Sequence, residues 1–128
     1  MDEKQKTVSR WLSRAEHDLY TARTMLRVDN PPTDVVCFHC QQCAEKCVKA
    51  FLVSVGREFP KTHDLMRLLT SCAEEHREFA ELEEDLMALA DYAVEVRYVD
   101  DWRDIPVSEA ESALEAAERV ISFIRGLL

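Results

Sequence analysis

Glycine and proline are scarce, with two and four residues in a chain of 128. Few positions can therefore take the positive-φ turns on which β-hairpins depend. The sequence has no apolar run of about 18 residues, the length a membrane-spanning helix needs. Its first residues, MDEKQKTVSRW, are polar and lack the apolar segment of a secretory signal, so a cytoplasmic location is expected. Cysteines are five, an odd number; without a secretory signal they do not read as a disulfide framework. Positive charge is sparse in the second half. Residues 68–128 hold 5 Lys/Arg against 16 Asp/Glu, whereas residues 1–67 hold 11 against 9. At a net charge of −9, non-specific attraction to a phosphate backbone is disfavoured for the whole molecule. A local contact with an anion through the first half is still allowed. A solvated acidic surface is the plainer use of the remaining charge.

What is present is helix-forming. Hydrophobic residues make up 47% of the chain, and Ala, Leu, Glu, Arg and Lys are abundant. Val8, Leu12, Ala15, Leu19, Ala22 and Leu26 recur at spacings of four and three, a stripe on one face of a helix from about Lys6 to Arg27. Its polar face carries Arg10, Arg14, His17, Asp18 and Arg23. Asn30 is a candidate N-cap for a second helix that starts at Pro31 and ends before Gly56. Thr62 is the expected N-cap of a short third helix, His63 to about Cys72. A fourth helix is expected from Glu78 to Val96, with Phe79, Leu82, Leu86 and Leu89 inward. Ser108 and Glu111 read as a capping box for the last helix, whose stripe is Ala110, Leu114, Ala117, Ile121, Ile124 and Leu128. These patterns predict an all-α fold, a single domain over residues 1–128. Its economical form is an up-and-down antiparallel bundle of four long helices plus one short helix.

Cys37, Cys40, Cys43 and Cys47 have the C-x2-C-x2-C-x3-C spacing of a ferredoxin iron–sulfur ligand run. Such ligands come from a loop, and no glycine separates Cys37 from Cys47 here. On a helix those two sulfurs lie about 15 Å apart along the axis, too far to share one cluster. The run therefore reads as core packing: with Val36, Ala44, Val48, Phe51 and Val55 it makes one apolar arc. Gln42, Glu45, Lys46 and Lys49 fall on the opposite side, with Gln41 near the edge. No metal and no cofactor is expected.

The second helix carries a further pattern. Gln41, Gln42, Ala44, Glu45, Lys46, Lys49 and Ala50 are followed by Thr62, His63, Asp64 and Leu65, and then by Arg97-Tyr98 ahead of the last helix. In this order and spacing the chain, from about residue 5 to 128, resembles the HEPN domain (higher eukaryotes and prokaryotes nucleotide-binding). The resemblance implies a bundle of about five helices, often a homodimer. It also implies a small cytoplasmic partner of a minimal nucleotidyltransferase, in a toxin–antitoxin-type pair. Active members of the superfamily are metal-independent ribonucleases with an Arg followed, about four to six residues on, by a His. This chain departs from that motif, since no histidine follows His76. The group expected to act on a ribose 2′-hydroxyl is missing, and Asp100, Asp101 and Asp104 would repel RNA phosphate. The expectation is a nucleotide- or partner-binding module rather than an enzyme. The alternatives are an RNase built around Arg97 and His63, and a purely structural dimer.

The ligand-binding candidates are Gln42, Glu45, Lys49, Lys61, His63, Asp64, Arg97 and Tyr98. His63, Asp64 and Lys61 sit where a helix N-terminus can take a phosphate; equally, Thr62 caps, Asp64 complements the dipole and His63 ties two helices. Gln41, Gln42, Glu45 and Lys49 form a strip able to face a cleft or partner; Glu45 and Lys49 are also an i,i+4 pair that an exposed face would explain. Arg97 can clamp a phosphate or pair locally. Tyr98 and Trp102 can stack on a base or close the end of the bundle.

Overall fold

The computed structural model describes residues 1–93 and 103–128. The chain is all-α: α1 (Glu3–Leu26), α2 (Thr33–Ser54), α3 (Leu65–Glu75), a 3-10 helix (Arg77–Leu82), α4 (Glu83–Ala90) and α5 (Val107–Leu127). Among the described residues five α-helices are present, and the fourth of them is short. The predicted inward residues of that stretch, Phe79, Leu82, Leu86 and Leu89, are all buried, but the backbone reaches them through a 3-10 turn. His76, extended at φ −153, ψ 104, breaks α3 from that turn. The part of the predicted fourth helix up to Val96 lies outside the described residues.

The caps differ from the sequence reading in four places, each for a local reason. The first helix starts at Glu3, because Asp2 and Gln5 form a reciprocal capping box at 2.8 and 3.0 Å. Asn30 does not cap α2. It turns left-handed at φ 51, a conformation asparagine tolerates, and Pro32 is the flanking residue. At α3 the N-cap is Asp64, whose carboxylate accepts from the N–H groups of Met66 and Arg67 at 3.1 and 3.2 Å. Thr62 stands one step back, and its hydroxyl accepts from the Asp64 N–H. The Ser108–Glu111 box does not form: Pro106 flanks α5 without a side-chain cap, and the Ser108 carbonyl takes the Ser112 hydroxyl instead. Gly56 ends α2 as expected. At φ 72 it lets its own N–H reach the Val53 carbonyl and the Arg57 N–H reach that of Leu52, the paired C-terminal bonds that glycine favours.

Cross-helix pairs give the directions. Glu16 meets Arg125 and Arg23 meets Glu118, so α1 and α5 are antiparallel. Lys49 lies over Trp11 while Lys46 reaches Asp18, so α1 and α2 are antiparallel. Asp85 meets Arg119 and Tyr92 meets Glu109, so α4 runs against α5. The connection of residues 55–64 is itself a return leg. It carries Phe59 to Trp11, with rings 6.5 Å apart, and delivers His63 to Glu45. Then α3 leads on to His76 beside Phe51.

Helix α2 is the centre, packed against α1, α3, α4 and α5. That position explains its burial on nearly every side and corrects a simple two-faced reading of it. Cys37, Cys40, Cys43, Cys47 and Cys72 are all free and fully buried; the four on α2 line the core as small apolar residues. Burial pushes the Cys37 thiol up to about 11 and that of Cys72 to about 12. On α5, Ala113, Ala116 and Val120 join the buried stripe, Leu114 is half-buried and Leu128 is exposed. No helix among the described residues is long and apolar enough to cross a membrane.

Candidate functional site

The charged groups expected on the outer side of α2 are largely inside. Glu45 is 2% exposed, Lys49 6% and Gln41 0%. The return leg 55–64 and α1 cover that side, so the exposed i,i+4 reading of Glu45 and Lys49 is overturned. The pair persists as a buried one: Lys49 Nζ lies 3.0 Å from Glu45 Oε2. The ammonium also sits 5.4 Å from the Trp11 ring centroid, a cation–π contact. The other oxygen, Oε1, receives Gln41 Nε2 at 3.3 Å and faces His63 Nδ1 at 2.9 Å. Gln41 also donates to the His63 carbonyl at 3.4 Å. An ionised carboxylate can only accept, so Nδ1 carries the hydrogen. Nε2 is left for the solvent side, where the His63 side chain is 72% exposed.

A second network lies on the α1 side of the same helix. Asp18 is buried, not on the polar face of α1. Its two oxygens face His39 Nδ1 at 2.8 Å and the Lys46 ammonium. The spacing held a signal for this: Ala15, Asp18 and Ala22 step by three and four, and all three are buried. A carboxylate within an apolar stripe needs a partner, and Lys46 and His39 supply it.

Gln42 lies between the two networks. It is half-buried and donates to Gln41 Oε1 at 2.7 Å. The surface along α2 is thus a polar strip centred on Gln42, with the Asp18–His39–Lys46 group on one side and the Glu45–His63–Lys49 group on the other. Each imidazole is oriented through Nδ1 by a carboxylate, so two Nε2 atoms and one amide are held without being spent on one another.

Of the sequence candidates, Gln42, Glu45, Lys49 and His63 are therefore brought together. Asp64 is next to them but occupied: its carboxylate fills the N–H groups at the start of α3, the structural alternative to a phosphate there. Lys61 is exposed and makes no hydrogen bond or ion pair among the described residues. Arg97, Tyr98, Trp102, Asp100 and Asp101 lie outside the described residues. The residues that flank them are tied together. Arg103 donates twice to Glu109, at 3.0 and 2.6 Å, and the Tyr92 hydroxyl donates to the same carboxylate. The Arg103 guanidinium, then the Tyr92 hydroxyl, hold the Glu109 carboxyl below its ordinary range. No group of three His, Cys, Asp or Glu side chains placed to hold a metal ion occurs among the described residues.

Fold and site together define a small helical bundle whose central helix bears one member of each of two carboxylate–imidazole pairs, His39 with Asp18 and Glu45 with His63. The chain belongs to the HEPN domain family, whose profile matches residues 8–127. It is 28% identical over 133 aligned residues to the protein named "Putative toxin MJ1304" of Methanocaldococcus jannaschii, covering 92% of this chain and 86% of that one. The crystal structure of TT1696 from Thermus thermophilus superposes with a TM-score of 0.80 at 28% identity, covering 94% of this chain and 98% of that one. ST0689, an archaeal HEPN homologue, superposes at 0.75 with 26% identity, covering 94% and 96%.

Proposed function

We infer that this chain is a binding module of a toxin–antitoxin-type pair, the cytoplasmic partner of a minimal nucleotidyltransferase, working as a homodimer. The observation that carries the reading is the Gln42 strip. Its two imidazoles are fixed by buried carboxylates and its amide by Gln41, a preorganised surface for a nucleotide or for the face of a nucleotide-handling partner. The toxin named among its relatives supports the pairing. The missing histidine after Arg97 favours binding over ribonuclease chemistry.

The test is co-purification with a nucleotidyltransferase encoded beside this gene, together with calorimetry against ATP and AMP. The wild type is expected to hold the partner or a nucleotide. Gln42→Ala and His63→Ala, both at the strip, are expected to lose that binding while staying folded. Wild-type protein that captures neither sinks the reading.

A second reading, an RNase toxin using Arg97 and His63, is favoured by one observation: His63 is exposed and held by Glu45 as a general base would be. Expression without an antitoxin decides it. Arrested growth with cleaved RNA, both abolished by His63→Ala, would establish it; unaffected growth and intact RNA would remove it.

A further inference from the structure

Helix α3 ends at Glu75, and the break at His76 lets the 3-10 helix and the start of α4 pack beside it. A cleft of about 420 Å³ stays open to solvent between them. Its apolar lining is Met66, Leu69, Ala73 and Ala80. Leu69 is buried, Met66 and Ala73 are half-buried and Ala80 is exposed. Two of these four are alanines, so the walls are low where larger side chains would have closed the cleft. From Met66 to Ala73 it follows α3 for about 10 Å at 1.5 Å per residue, two helical turns. The rim is acidic. Glu74 and Glu83 line it, and residues 66–87 hold 7 Asp/Glu against 2 Lys/Arg. Arg57 offsets Glu74 and Glu75, and Arg119 offsets Asp85. Glu78, Glu81, Glu83 and Glu84 are exposed and make no ion pair among the described residues.

We propose that the cleft between α3 and the 3-10 helix docks a basic amphipathic helix of a protein partner. Apolar side chains of that helix fill the cleft, and its Lys or Arg side chains lie over the glutamates of the rim. The dimensions fit this occupant. Two turns of open apolar cleft match the i, i+4 and i+7 anchors that a helix lays into a groove. The charge selects it. Four unpaired glutamates within seven residues repel one another, and a cationic partner relieves that repulsion while it is steered in by the same field. Nucleic acid and anionic lipid are repelled by the rim, and so is a second copy approaching through the same face, since it brings the same glutamates. The cleft uses neither Gln42 nor the two imidazoles, so it is a surface in addition to the strip on α2 and is tested apart from it.

Calorimetry of the full chain against a synthetic helical peptide tests the proposal. The peptide carries Leu at i, i+4 and i+7, Lys beside them and Ala elsewhere. The wild type is expected to bind it, more weakly as salt rises. A peptide of the same composition, scrambled so that the leucines no longer share a face, is expected to bind about tenfold more weakly or worse. Ala80→Arg, at an exposed position of the cleft, is expected to cost a similar factor, with unchanged far-UV circular dichroism and Tm. The double variant Glu78→Lys/Glu83→Lys removes rim charge without entering the cleft, and is expected to lower the affinity and flatten its salt dependence. Glu111→Lys, exposed on α5, changes the net charge as each of those lysines does and is expected to keep the wild-type affinity. No binding by the wild type overturns the proposal. So does equal binding of the scrambled peptide, which would reduce the surface to charge alone, and so does full affinity in both Ala80→Arg and the double variant. Self-association of the wild type that Ala80→Arg abolishes would make the occupant a second copy and overturn it as well. Gln42 and His63 are unchanged in all these variants, so failure here leaves the strip untouched.

Discussion

Glu45 and His63 meet across the fold at 2.9 Å, one 2% exposed and the other 72%. A buried carboxylate is thereby joined to solvent through a single imidazole, while Lys49 balances its charge from beneath.

Removing the two partners should cost very different amounts. Glu45→Ala strands the Lys49 ammonium in the interior and should destabilise by about 3–5 kcal/mol. His63→Ala removes a group that water can replace, and should cost under about 1 kcal/mol. Urea denaturation of both variants reads the difference. Equal losses would show that His63 is structural and that the strip has no spare imidazole there.

Asp18 makes a parallel case on the other side of α2. Asp18→Ala leaves Lys46 and His39 facing a buried gap, and should cost about 1–3 kcal/mol. Arg14→Ala, on the exposed side of the same helix, should stay within about 0.5 kcal/mol. If thermal melts place the two variants together, the burial of Asp18 is wrong.

The five cysteines should resist thiol reagents in the native state and react after unfolding, because all are fully buried and the thiolate is the reactive form. The same burial predicts alkaline weakening. Cys37 is raised from 9.0 to about 11, so the unfolded chain releases this proton first as pH rises. Its contribution is fully present below pH 9 and is lost as pH climbs through 11. Tm measured from about pH 8 to about pH 11 should fall across that window. Native thiols that react as fast as unfolded ones would refute the packing.

Glu109 predicts the acid side. Its carboxyl is held below its ordinary range by Arg103 and then Tyr92. The stability it adds is present above the unfolded pKa, about 4.3, and is lost as pH falls through the lower folded value. Glu109→Gln should flatten that part of the acid transition. It should also quicken tryptic cleavage after Arg103, whose guanidinium loses its carboxylate partner. An unchanged acid limb in Glu109→Gln would count against the assignment.

Much was legible in the residues alone. The stripes of α1 and α5, the glycine stop after α2 and the inward Phe79, Leu82, Leu86 and Leu89 follow from local spacing. So does the packing role of the cysteines, since a glycine-free helical run cannot wrap a cluster. The motif from Gln41 to Leu65 named the family. Caps were less legible: Asn30, Thr62 and Ser108 all have capping chemistry, and which hydroxyl or carboxylate is used depends on where the chain enters each helix.

The burial of Glu45 and Lys49 could only be decided by tertiary structure, and so could the partners of Asp18, whose place in the Ala15–Ala22 stripe was legible. A helical wheel assigns polar residues to water because it knows one helix, whereas α2 has neighbours on nearly every side. Once residues 55–64 return along it and α1 closes the other flank, a surface ion pair becomes an interior one and Asp18 must find Lys46 and His39. The sequence determined which helices form and which family they belong to; the packing around α2 decided which charges were buried, and so which imidazoles stand ready at the surface.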